Sequence, residues 1–424
     1  MKINTKVMSY EEVLKLPRLQ HKNPMKPQMW LATIVRIVCG FTLRQIKFSY
    51  TTERMDLIEK NQPCLILMNH SSFTDMKLAF GIFYPQKLGI VTSVDAMSGI
   101  LGKLMRLLGC TPTHKYVTDL SLIKDLEYMI KKNKTSVLMY PEAGYSFDGC
   151  ATTMPKKLGI LMKRLGVPVV TVITQGAFHR DPLYNMLQIR DVKVSAHVKC
   201  IATAEEVKSK SVDELDALLE ESFSFDNFAW QRDNKVSIDV PFRADGLHRI
   251  LYKCPHCGAE NKMEGKGIHL TCHACNKQWT MDEYGQMVAA DGETEYPHIP
   301  DWYKWQRECV REELENGTYL LDTDVDIAIQ VNLNGVCMIG GGHLTHSEEG
   351  FHLVGAEGKL DYTQGPAFSH TLYSDYYWYE IGDVIGIGDN EFSYFCFPKG
   401  DVSVTKARLA TEELYKMKKK RRRA

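Results

Sequence analysis

A histidine followed five residues later by an aspartate stands directly after a short apolar run, and this is where the residue types first suggest chemistry. His70 and Asp75 follow residues 63–68, a pattern typical of a strand buried on both faces of a sheet. Residues 69–72 are polar and a helical apolar pattern follows, so the sequence predicts His70 in a strand-to-helix turn and Asp75 in the first helical turn. A carboxylate there would orient the imidazole and stabilise its protonated form, as general-base catalysis requires.

The spacing of His70 and Asp75 is weakly specific by itself. Aspartate makes up roughly one residue in twenty of an average chain, so 14 histidines are expected to give about one accidental His-x4-Asp. In the alternative interpretation His70 is a satisfied core histidine and Asp75 caps its own helix. Residues further along the chain decide between the two.

Length, composition and net charge restrict the class of protein to which this chain can belong. The chain has 424 residues, 44% hydrophobic and 25% charged, which predicts two or three domains of a soluble globular protein. Lysine plus arginine equal aspartate plus glutamate at 52 each, so no global field favours nucleic acid. No run reaches the roughly 18 apolar residues of a membrane span, and the amino terminus lacks a signal-peptide layout. We therefore expect a cytoplasmic location.

Changes in pattern divide the chain into four parts. They are residues 1–50, a helical segment; 51–240, alternating strands and helices; 248–290, a cysteine-rich module; and 300–424, a helix, a β-rich domain and a basic tail. The alternating pattern of the second part predicts an α/β fold in which helices cover a central mixed sheet. Its strands are predicted over 63–68, 87–92, 135–140, 168–173 and 192–201, and helices over 98–108, 118–132 and 211–221. Ligands of such sheets lie outside the carboxyl ends of the strands, where His70 and Glu142 stand.

The first part of the chain carries a candidate membrane-interface helix. Residues 1–28 are polar, basic and interrupted by prolines, which indicates a poorly ordered or partly helical lead. Residues 29–43 are apolar apart from Arg36 and have basic flanks, a pattern that suits a helix lying in the membrane interface. An ordinary buried core helix has a similar pattern, and the sequence leaves both open.

Four blocks in residues 60–225 resemble the glycerolipid acyltransferase family, whose lysophosphatidic acid acyltransferases carry an Asn-His-x4-Asp block. That block is residues 69–75 here, and the family's Gly-Pro-basic block is similar to 109–115. Its Phe-Pro-Glu-Gly-Thr-Arg-Ser block looks like 140–146, and its strand opening with Val-Pro matches 167–170. The order and the distances of the four blocks make the resemblance specific.

The resemblance implies transfer of a fatty acyl group from a thioester donor, acyl-CoA or acyl carrier protein, to a hydroxyl of a lysophospholipid-type acceptor such as 1-acylglycerol-3-phosphate. His70 would be the general base and Asp75 its orienting carboxylate. Residues that would bind or orient the acceptor are Asn69, Lys115, Glu142 and Gly144. Backbone amides of the turn before the helix are expected to stabilise the tetrahedral oxyanion.

Two departures from the family pattern bear on the acceptor. Tyr145 stands at the family's arginine position and Ala143 at its first glycine. Losing a cation weakens the case for lysophosphatidic acid itself, although Lys115 would still pair with a phosphate as a point charge. For Glu142 the alternative is a structural acid satisfied by backbone amides.

A zinc ribbon is predicted in the third part of the chain. Two Cys-x2-Cys turns supply four thiolates for one zinc ion, through Cys254, Cys257, Cys272 and Cys275. With four protein ligands the site has no open position, so we expect the zinc to be structural, with His256 and His273 as bystanders. The other eight of the 12 cysteines are scattered, as in a reducing compartment.

The last part of the chain alternates short strands with Gly and Asn turns. A helix is predicted over 302–316, strands over 325–333, 335–339, 350–354, 376–380, 384–387 and 392–397, and a final helix from about 405. This favours a small domain of pleckstrin-homology-like shape. The aromatic cluster at 373–379 is interpreted as a half-buried strand more readily than as a ligand site. Six cations at 418–423 suit an anionic membrane surface, or else a solvated tail.

The leading hypothesis is therefore a cytoplasmic acyltransferase associated peripherally with the membrane. The second is a catalytically degraded lipid-binding or scaffolding protein that keeps an acyl-binding groove. A zinc-ribbon nucleic-acid binder is a third hypothesis, which the balanced charge disfavours.

Overall fold

The computed structural model describes residues 2–115 and 119–421. Its strands are β1 (Thr5–Val7), β2 (Ser49–Glu53), β3 (Leu65–Met68), β4 (Leu88–Ser93), β5 (Cys110–Thr113), β6 (Ser136–Met139), β7 (Val169–Gln175), β8 (Ser195–Ala202), β9 (Met263–Lys266), β10 (His269–Cys272), β11 (Gln278–Met281), β12 (Met287–Ala289), β13 (Leu321–Gln330), β14 (Val336–Ser347), β15 (Gly350–Gly355), β16 (Leu360–Gln364), β17 (Tyr373–Trp378), β18 (Gly382–Gly388) and β19 (Ser393–Pro398).

Its helices are α1 (Tyr10–Leu14), α2 (Met29–Gln45), α3 (Asp75–Phe83), α4 (Gly99–Leu107), α5 (Leu120–Glu127), α6 (Leu158–Leu165), α7 (Ala177–Arg180), α8 (Ala204–Ser209), α9 (Val212–Ser222), α10 (Asn227–Asp233), α11 (Ile299–Glu315) and α12 (Val404–Arg421). A π-helical turn, Tyr128–Lys132, continues α5. The predicted start of that helix at Thr118 lies outside the described residues.

The first sheet is the mixed sheet that the sequence predicts. Its order is β2-β8-β7-β3-β6-β4-β5, and all neighbours are parallel except β7 and β8. Every residue of β3 is buried, because apolar layers cover both faces of the sheet. The strands β2 and β5 were not predicted, since both are short and carry polar residues or proline.

Parallel pairing places the candidate catalytic segments side by side. In the register of β3 and β6, Leu67 lies opposite Met139. Because the carboxyl ends of parallel strands meet at one edge, the turn after β3 and the loop after β6 leave the sheet together. His70 and residues 140–146 are therefore neighbours in space.

Helix α2 buries one face only. It packs on α3 through Ala32 and Leu43, which are buried. The opposite face exposes apolar side chains, with Trp30 at 61% and Phe41 at 72% exposure. This is neither a fully buried core helix nor a spanning one: across the described residues, no helix is both long and apolar enough to cross a bilayer.

The cysteine-rich module is a four-stranded antiparallel meander, β12-β11-β10-β9. Trp279 on β11 meets Trp302 on α11 edge to face, with ring centroids 5.0 Å apart. Both indoles are fully buried. The module therefore shares its core with the helix that leads into the C-terminal domain.

Seven strands of the C-terminal sheet follow the order β16-β15-β14-β13-β19-β18-β17, and each pair of neighbours in this order is antiparallel. The sequence missed β16 and placed β17 three residues too late. With its final helix this is the predicted β-rich C-terminal region, and its pleckstrin-homology-like shape stays a prediction.

The amino-terminal residues belong to this last sheet. Strand β1 pairs in parallel with β14, with Thr5 opposite Val336. A capping box at Ser9 then starts α1. Of the two interpretations of this lead, poorly ordered or partly helical, α1 agrees with the second. Strand β1 was not predicted, because its partner strand lies more than 300 residues away and leaves no mark on the local pattern.

Buried ion pairs hold α12 against α11. Arg307 contacts Glu412 at 2.7 Å and Arg408 contacts it at 3.3 Å. Although burial raises it, the two guanidinium groups lower the pKa of Glu412 to about 2. Residues 422–424 of the predicted basic tail, and the side chains of 419–421, lie outside what the structure describes.

We predict that Glu412→Gln lowers the free energy of unfolding by about 1.5–3 kcal/mol, because it removes the buried carboxylate charge that Arg307 and Arg408 share. Since the folded pKa of Glu412 is lowered, its contribution is present near neutral pH and is lost as the pH falls below about 4. Urea unfolding at pH 7 measures the loss. The exposed Glu220→Gln is the control, and equal stability of the two variants would contradict the prediction.

Candidate active site

His70 and Asp75 form a hydrogen-bonded pair at the carboxyl end of β3. The Nδ1 atom of His70 lies 2.9 Å from Oδ2 of Asp75. The turn between β3 and α3 carries the histidine, and the aspartate is the first residue of α3. The structure thus brings together the two residues that the sequence spacing singled out, with the side chain of His70 at 16% exposure and that of Asp75 at 2%.

Backbone amides fix the aspartate in turn. The N–H groups of Ser71 and Ser72 donate to the same Oδ2 atom, at 2.9 and 3.1 Å. These amides were expected to stabilise the oxyanion, and the structure shows them holding Asp75 instead. That correction follows from the tight turn, which points consecutive N–H groups at the helix's own first carboxylate.

Burial shifts both members of the pair towards their neutral forms. Desolvation, reinforced by the charge of Lys115, lowers the pKa of His70 well below its usual range. Desolvation raises the pKa of Asp75 to about 7, against the amide hydrogen bonds of Ser71 and Ser72. A neutral imidazole whose Nδ1–H donates to Asp75 keeps a lone pair on Nε2, the form that a general base needs.

Two tyrosines sandwich the imidazole. The ring of Tyr140 lies 4.1 Å from that of His70 and the ring of Tyr145 lies 3.8 Å from it, both stacked. Phe73 extends the stack on Tyr145, at 5.1 Å. Tyr145 occupies the position where the family resemblance leads one to expect an arginine, and here it fixes the plane of the histidine. The aromatic character of residues 140 and 145 was the available signal, and the sequence reasoning missed it.

The buried carboxylate of Glu142 holds the backbone on either side of the candidate active site. Its Oε2 accepts from the backbone N–H of His70 at 3.0 Å, and its Oε1 from that of Thr152 at 2.7 Å. Burial raises the pKa of Glu142 to about 7 despite these amide bonds. These contacts match the alternative of a structural acid, and contact with an acceptor stays a prediction.

Asn69 and Gly144 are also buried within the protein. The Oδ1 atom of Asn69 accepts from the N–H of Thr174 on β7 at 2.8 Å, and its Nδ2 donates to Ser71 Oγ at 2.9 Å. Asn69 therefore ties the turn to the neighbouring strand. Neither residue lines the cavity beside His70.

A large cavity opens beside His70. Its volume is about 950 Å³, at the upper end of the roughly 300–1,000 Å³ of ligand sites. Apolar side chains of α2 and α4 line much of it: Leu31, Val35, Leu101, Leu104 and Met105. Its lining therefore suits an acyl chain.

Polar side chains stand where this cavity meets the histidine. Lys115 lines it, with Nζ 4.3 Å from the ring centroid of Tyr373. Of the four predicted acceptor-binding residues, Lys115 is the one at the cavity wall. The aromatic cluster forms strand β17, as the sequence predicts. Residues 373–380 of the C-terminal sheet also reach the cavity, which no sequence pattern indicated.

The four predicted metal ligands converge in the ribbon. The Sγ atoms of Cys254, Cys257, Cys272 and Cys275 all lie within 4.8 Å of one another. Two of the pairs are 3.8 Å apart, Cys254 with Cys275 and Cys257 with Cys272. Zn–S bonds of about 2.3 Å give tetrahedral edges of about 3.8 Å, so the donor set fits zinc.

The two histidines of the ribbon face away from this cluster. His273 contacts Glu264 at 3.0 Å, and His256 lies 3.5 Å from Glu295. Their predicted role as bystanders agrees with these contacts.

Comparisons with known proteins match part of the chain to one family. Residues 49–175 match the family model described as Acyltransferase. A solved structure, the 1-acyl-sn-glycerophosphate (LPA) acyltransferase PlsC from Thermotoga maritima, is 16% identical, with 46% of this chain and 80% of that chain covered and a TM-score of 0.33. At that TM-score the likeness adds nothing to the family match. No curated protein matches the chain.

We predict that the purified protein holds about one zinc per chain and that Cys272→Ser removes it and lowers the melting temperature, because metal binding in a ribbon contributes folding energy. Elemental analysis and thermal unfolding measure the two effects. Cys309→Ser, on α11 and outside the cluster, is the control. A Cys272 variant that keeps its metal and stability would contradict the prediction.

Proposed function

We propose that this protein moves a fatty acyl group from acyl-CoA or acyl carrier protein to the hydroxyl of a lysophospholipid-type acceptor. The match of residues 49–175 to the family model described as Acyltransferase supports the proposal. The observation that carries the proposal is the His70–Asp75 pair, joined at 2.9 Å, at the wall of an apolar cavity of about 950 Å³. Both parts that the reaction needs, a base and a site for the chain, are then adjacent.

The reaction is a direct transfer. As the acceptor's hydroxyl oxygen attacks the thioester carbonyl carbon, Nε2 of His70 takes the hydroxyl proton, and Asp75 stabilises the imidazolium that forms. A new ester bond forms and the carbon–sulfur bond breaks. The proton passes from His70 to the leaving thiolate, which restores the neutral imidazole. No covalent enzyme intermediate is required, because a thioester is already activated.

The stacked tyrosines support the base in two ways. Tyr140 and Tyr145 hold the imidazole plane, so Nε2 keeps one direction. They also exclude water from both ring faces, which keeps the resting imidazole neutral. When the imidazolium forms, the π faces that cover it favour its charge.

The exposed face of α2 supports peripheral association with a membrane. Trp30, Ile34, Ile37, Val38 and Phe41 all face solvent on this helix. A helix of this kind lies in the headgroup region with its apolar face inward. The inner side of α2 contributes Leu31 and Val35 to the cavity, so an acyl chain would have a short path from the bilayer. We place this association at the cytoplasmic face.

The alternative of a degraded lipid-binding protein is favoured by one observation, Tyr145 in place of an arginine. The catalytic pair is intact, however, which turnover requires and lipid storage does not.

We predict that His70→Ala lowers kcat for acyl transfer by about 100-fold or more, because positioned base catalysis contributes about 10²–10⁴ in rate. Transfer of a radiolabelled acyl group to added lysophospholipid measures it. His197→Ala, at a partly exposed histidine on β8, is the matched control and retains activity. If the His70 variant stays within about tenfold of the wild type, the proposed base is wrong.

A second prediction concerns pH. A base acts in its deprotonated form, so the lowered pKa of His70 places the fall in kcat/KM that its protonation causes below the ordinary histidine pKa of about 6.5. Lys115→Gln removes a charge that disfavours the imidazolium, so the acid limb of that variant moves to higher pH. The shape of the profile is the measurement, since it is independent of any change in acceptor affinity. An acid limb that moves to lower pH would contradict the assignment.

A further inference from the structure

The cavity wall supplied by the C-terminal sheet is aromatic and acidic. Strand β17 and the residues that follow it contribute Tyr373, Asp375, Tyr377, Tyr379 and Glu380. We call these five side chains the β17 wall. They come from a domain outside the matched acyltransferase segment, and they lie beside the catalytic histidine.

Hydrogen bonds hold this wall against the catalytic domain. The hydroxyl groups of Tyr373 and Tyr379 both donate to Oδ2 of Asp95, at 2.9 and 3.0 Å. Asp95 follows β4, so the contact joins the two sheets directly at the cavity. The indole N–H of Trp378 donates to the Tyr373 hydroxyl at 3.0 Å. The position of the wall is thus fixed by a buried network and not by surface contacts.

A tight turn ends this wall. Tyr377, Tyr379 and Glu380 have φ values of 54°, 46° and 65°. Tyr379 and Glu380 are the central residues of the turn between β17 and β18, where the N–H of Ile381 donates to the carbonyl oxygen of Trp378 at 2.9 Å, and tight hairpin turns use this left-handed region. The conformation turns Tyr377 and Tyr379 out of the strand's alternation, and both line the cavity.

The charges around His70 do not suit a phosphate monoester. Lys115 is the cation beside the histidine, and its charge acts on His70 and on Asp375 alike. Asp375 and Glu380 face the same space. The cavity wall holds two lysines, Lys115 and the exposed Lys156. A dianion would meet more carboxyl groups than ammonium groups there, because four acidic side chains line the same cavity: Asp75, Asp95, Asp375 and Glu380.

The same arrangement suits a headgroup with both signs of charge. An ammonium group binds to the faces of tyrosine rings, and more strongly when a carboxylate is close. A lysine pairs with a singly charged phosphodiester as a point charge. Nζ of Lys115 lies 4.3 Å from the ring centroid of Tyr373. Tyr377, Tyr379 and Asp375 line the same cavity, so it offers a cation for the phosphodiester and an acidic aromatic surface for the ammonium group.

Building on the proposed acyltransferase function, we propose that the acceptor is a lysophospholipid with a zwitterionic headgroup, a phosphodiester followed by an ammonium group. Lys115 contacts the phosphodiester, and Tyr377, Tyr379 and Asp375 of the β17 wall receive the ammonium group. The C-terminal domain is then part of the acceptor site and sets its specificity.

The test compares three acceptors that share one acyl chain, with the purified full-length protein and one acyl-CoA. They are lysophosphatidylcholine, lysophosphatidic acid and monoacylglycerol. We expect kcat/KM for lysophosphatidylcholine to exceed that for either of the others by about tenfold or more, the size of one good ammonium–aromatic contact. Equal or faster transfer to lysophosphatidic acid or to monoacylglycerol would overturn the inference.

Variants test which residue recognises the ammonium group of the acceptor. Asp375→Asn is expected to raise KM for lysophosphatidylcholine about tenfold and to leave kcat/KM for monoacylglycerol within about twofold. Asp361→Asn, an exposed aspartate on β16 that pairs with His352, is the matched control. If Asp375→Asn lowers transfer to all three acceptors equally, the residue has a structural role only and the proposed recognition is wrong.

A binding measurement separates this inference from the proposed function. If none of the acceptors is acylated, the acyltransferase proposal fails. Titration calorimetry with monomeric hexanoyl lysophosphatidylcholine and hexanoyl lysophosphatidic acid then tests the headgroup alone. Binding about tenfold tighter for the zwitterion supports the inference, and equal or weaker binding overturns it.

Discussion

The geometry of the candidate active site depends on one carboxylate oxygen, Oδ2 of Asp75. Oδ2 of Asp75 accepts from Nδ1 of His70 and from the N–H groups of Ser71 and Ser72. These three bonds close the turn, fix the tautomer of the imidazole and orient its ring, since a histidine that donates from Nδ1 can accept only at Nε2. The stacked tyrosines and the buried Glu142 then hold the histidine from its two faces and from its backbone.

Contacts from the distant modules converge on the loop that carries one of these tyrosines. Arg408 of α12 donates to the carbonyl oxygen of Tyr145 at 3.1 Å, and Thr153 of the same loop donates to Glu412 at 3.1 Å. Arg307 of α11 pairs with Glu412 at 2.7 Å, and α11 packs on the ribbon through Trp302. The ribbon and the C-terminal domain thus pack continuously behind the loop that carries Tyr145.

The local sequence pattern was enough to predict those parts of the structure that residues close together in the sequence determine. The buried strands of the first sheet, the strand-to-helix turn at His70 and the paired Cys-x2-Cys turns all follow from short stretches of sequence. Contacts between distant residues left no such pattern. Tyr373 lies 278 residues from its partner Asp95, so the aromatic run looked like an ordinary strand. Tyr145 likewise looked like the loss of an arginine, because stacking on His70 is visible only once β3 and β6 are paired.

Burial and the charge of Lys115 keep the resting His70 neutral, and Asp75 fixes its tautomer, with the proton on Nδ1 and the lone pair on Nε2. Nitrogen-15 NMR of histidine-labelled protein at pH 7 tests it most directly, with the His70 signals assigned by their loss in His70→Gln. We predict a protonated Nδ1 and an unprotonated Nε2 for His70 at that pH. An imidazolium, or a tautomer with its proton on Nε2, would contradict the claim.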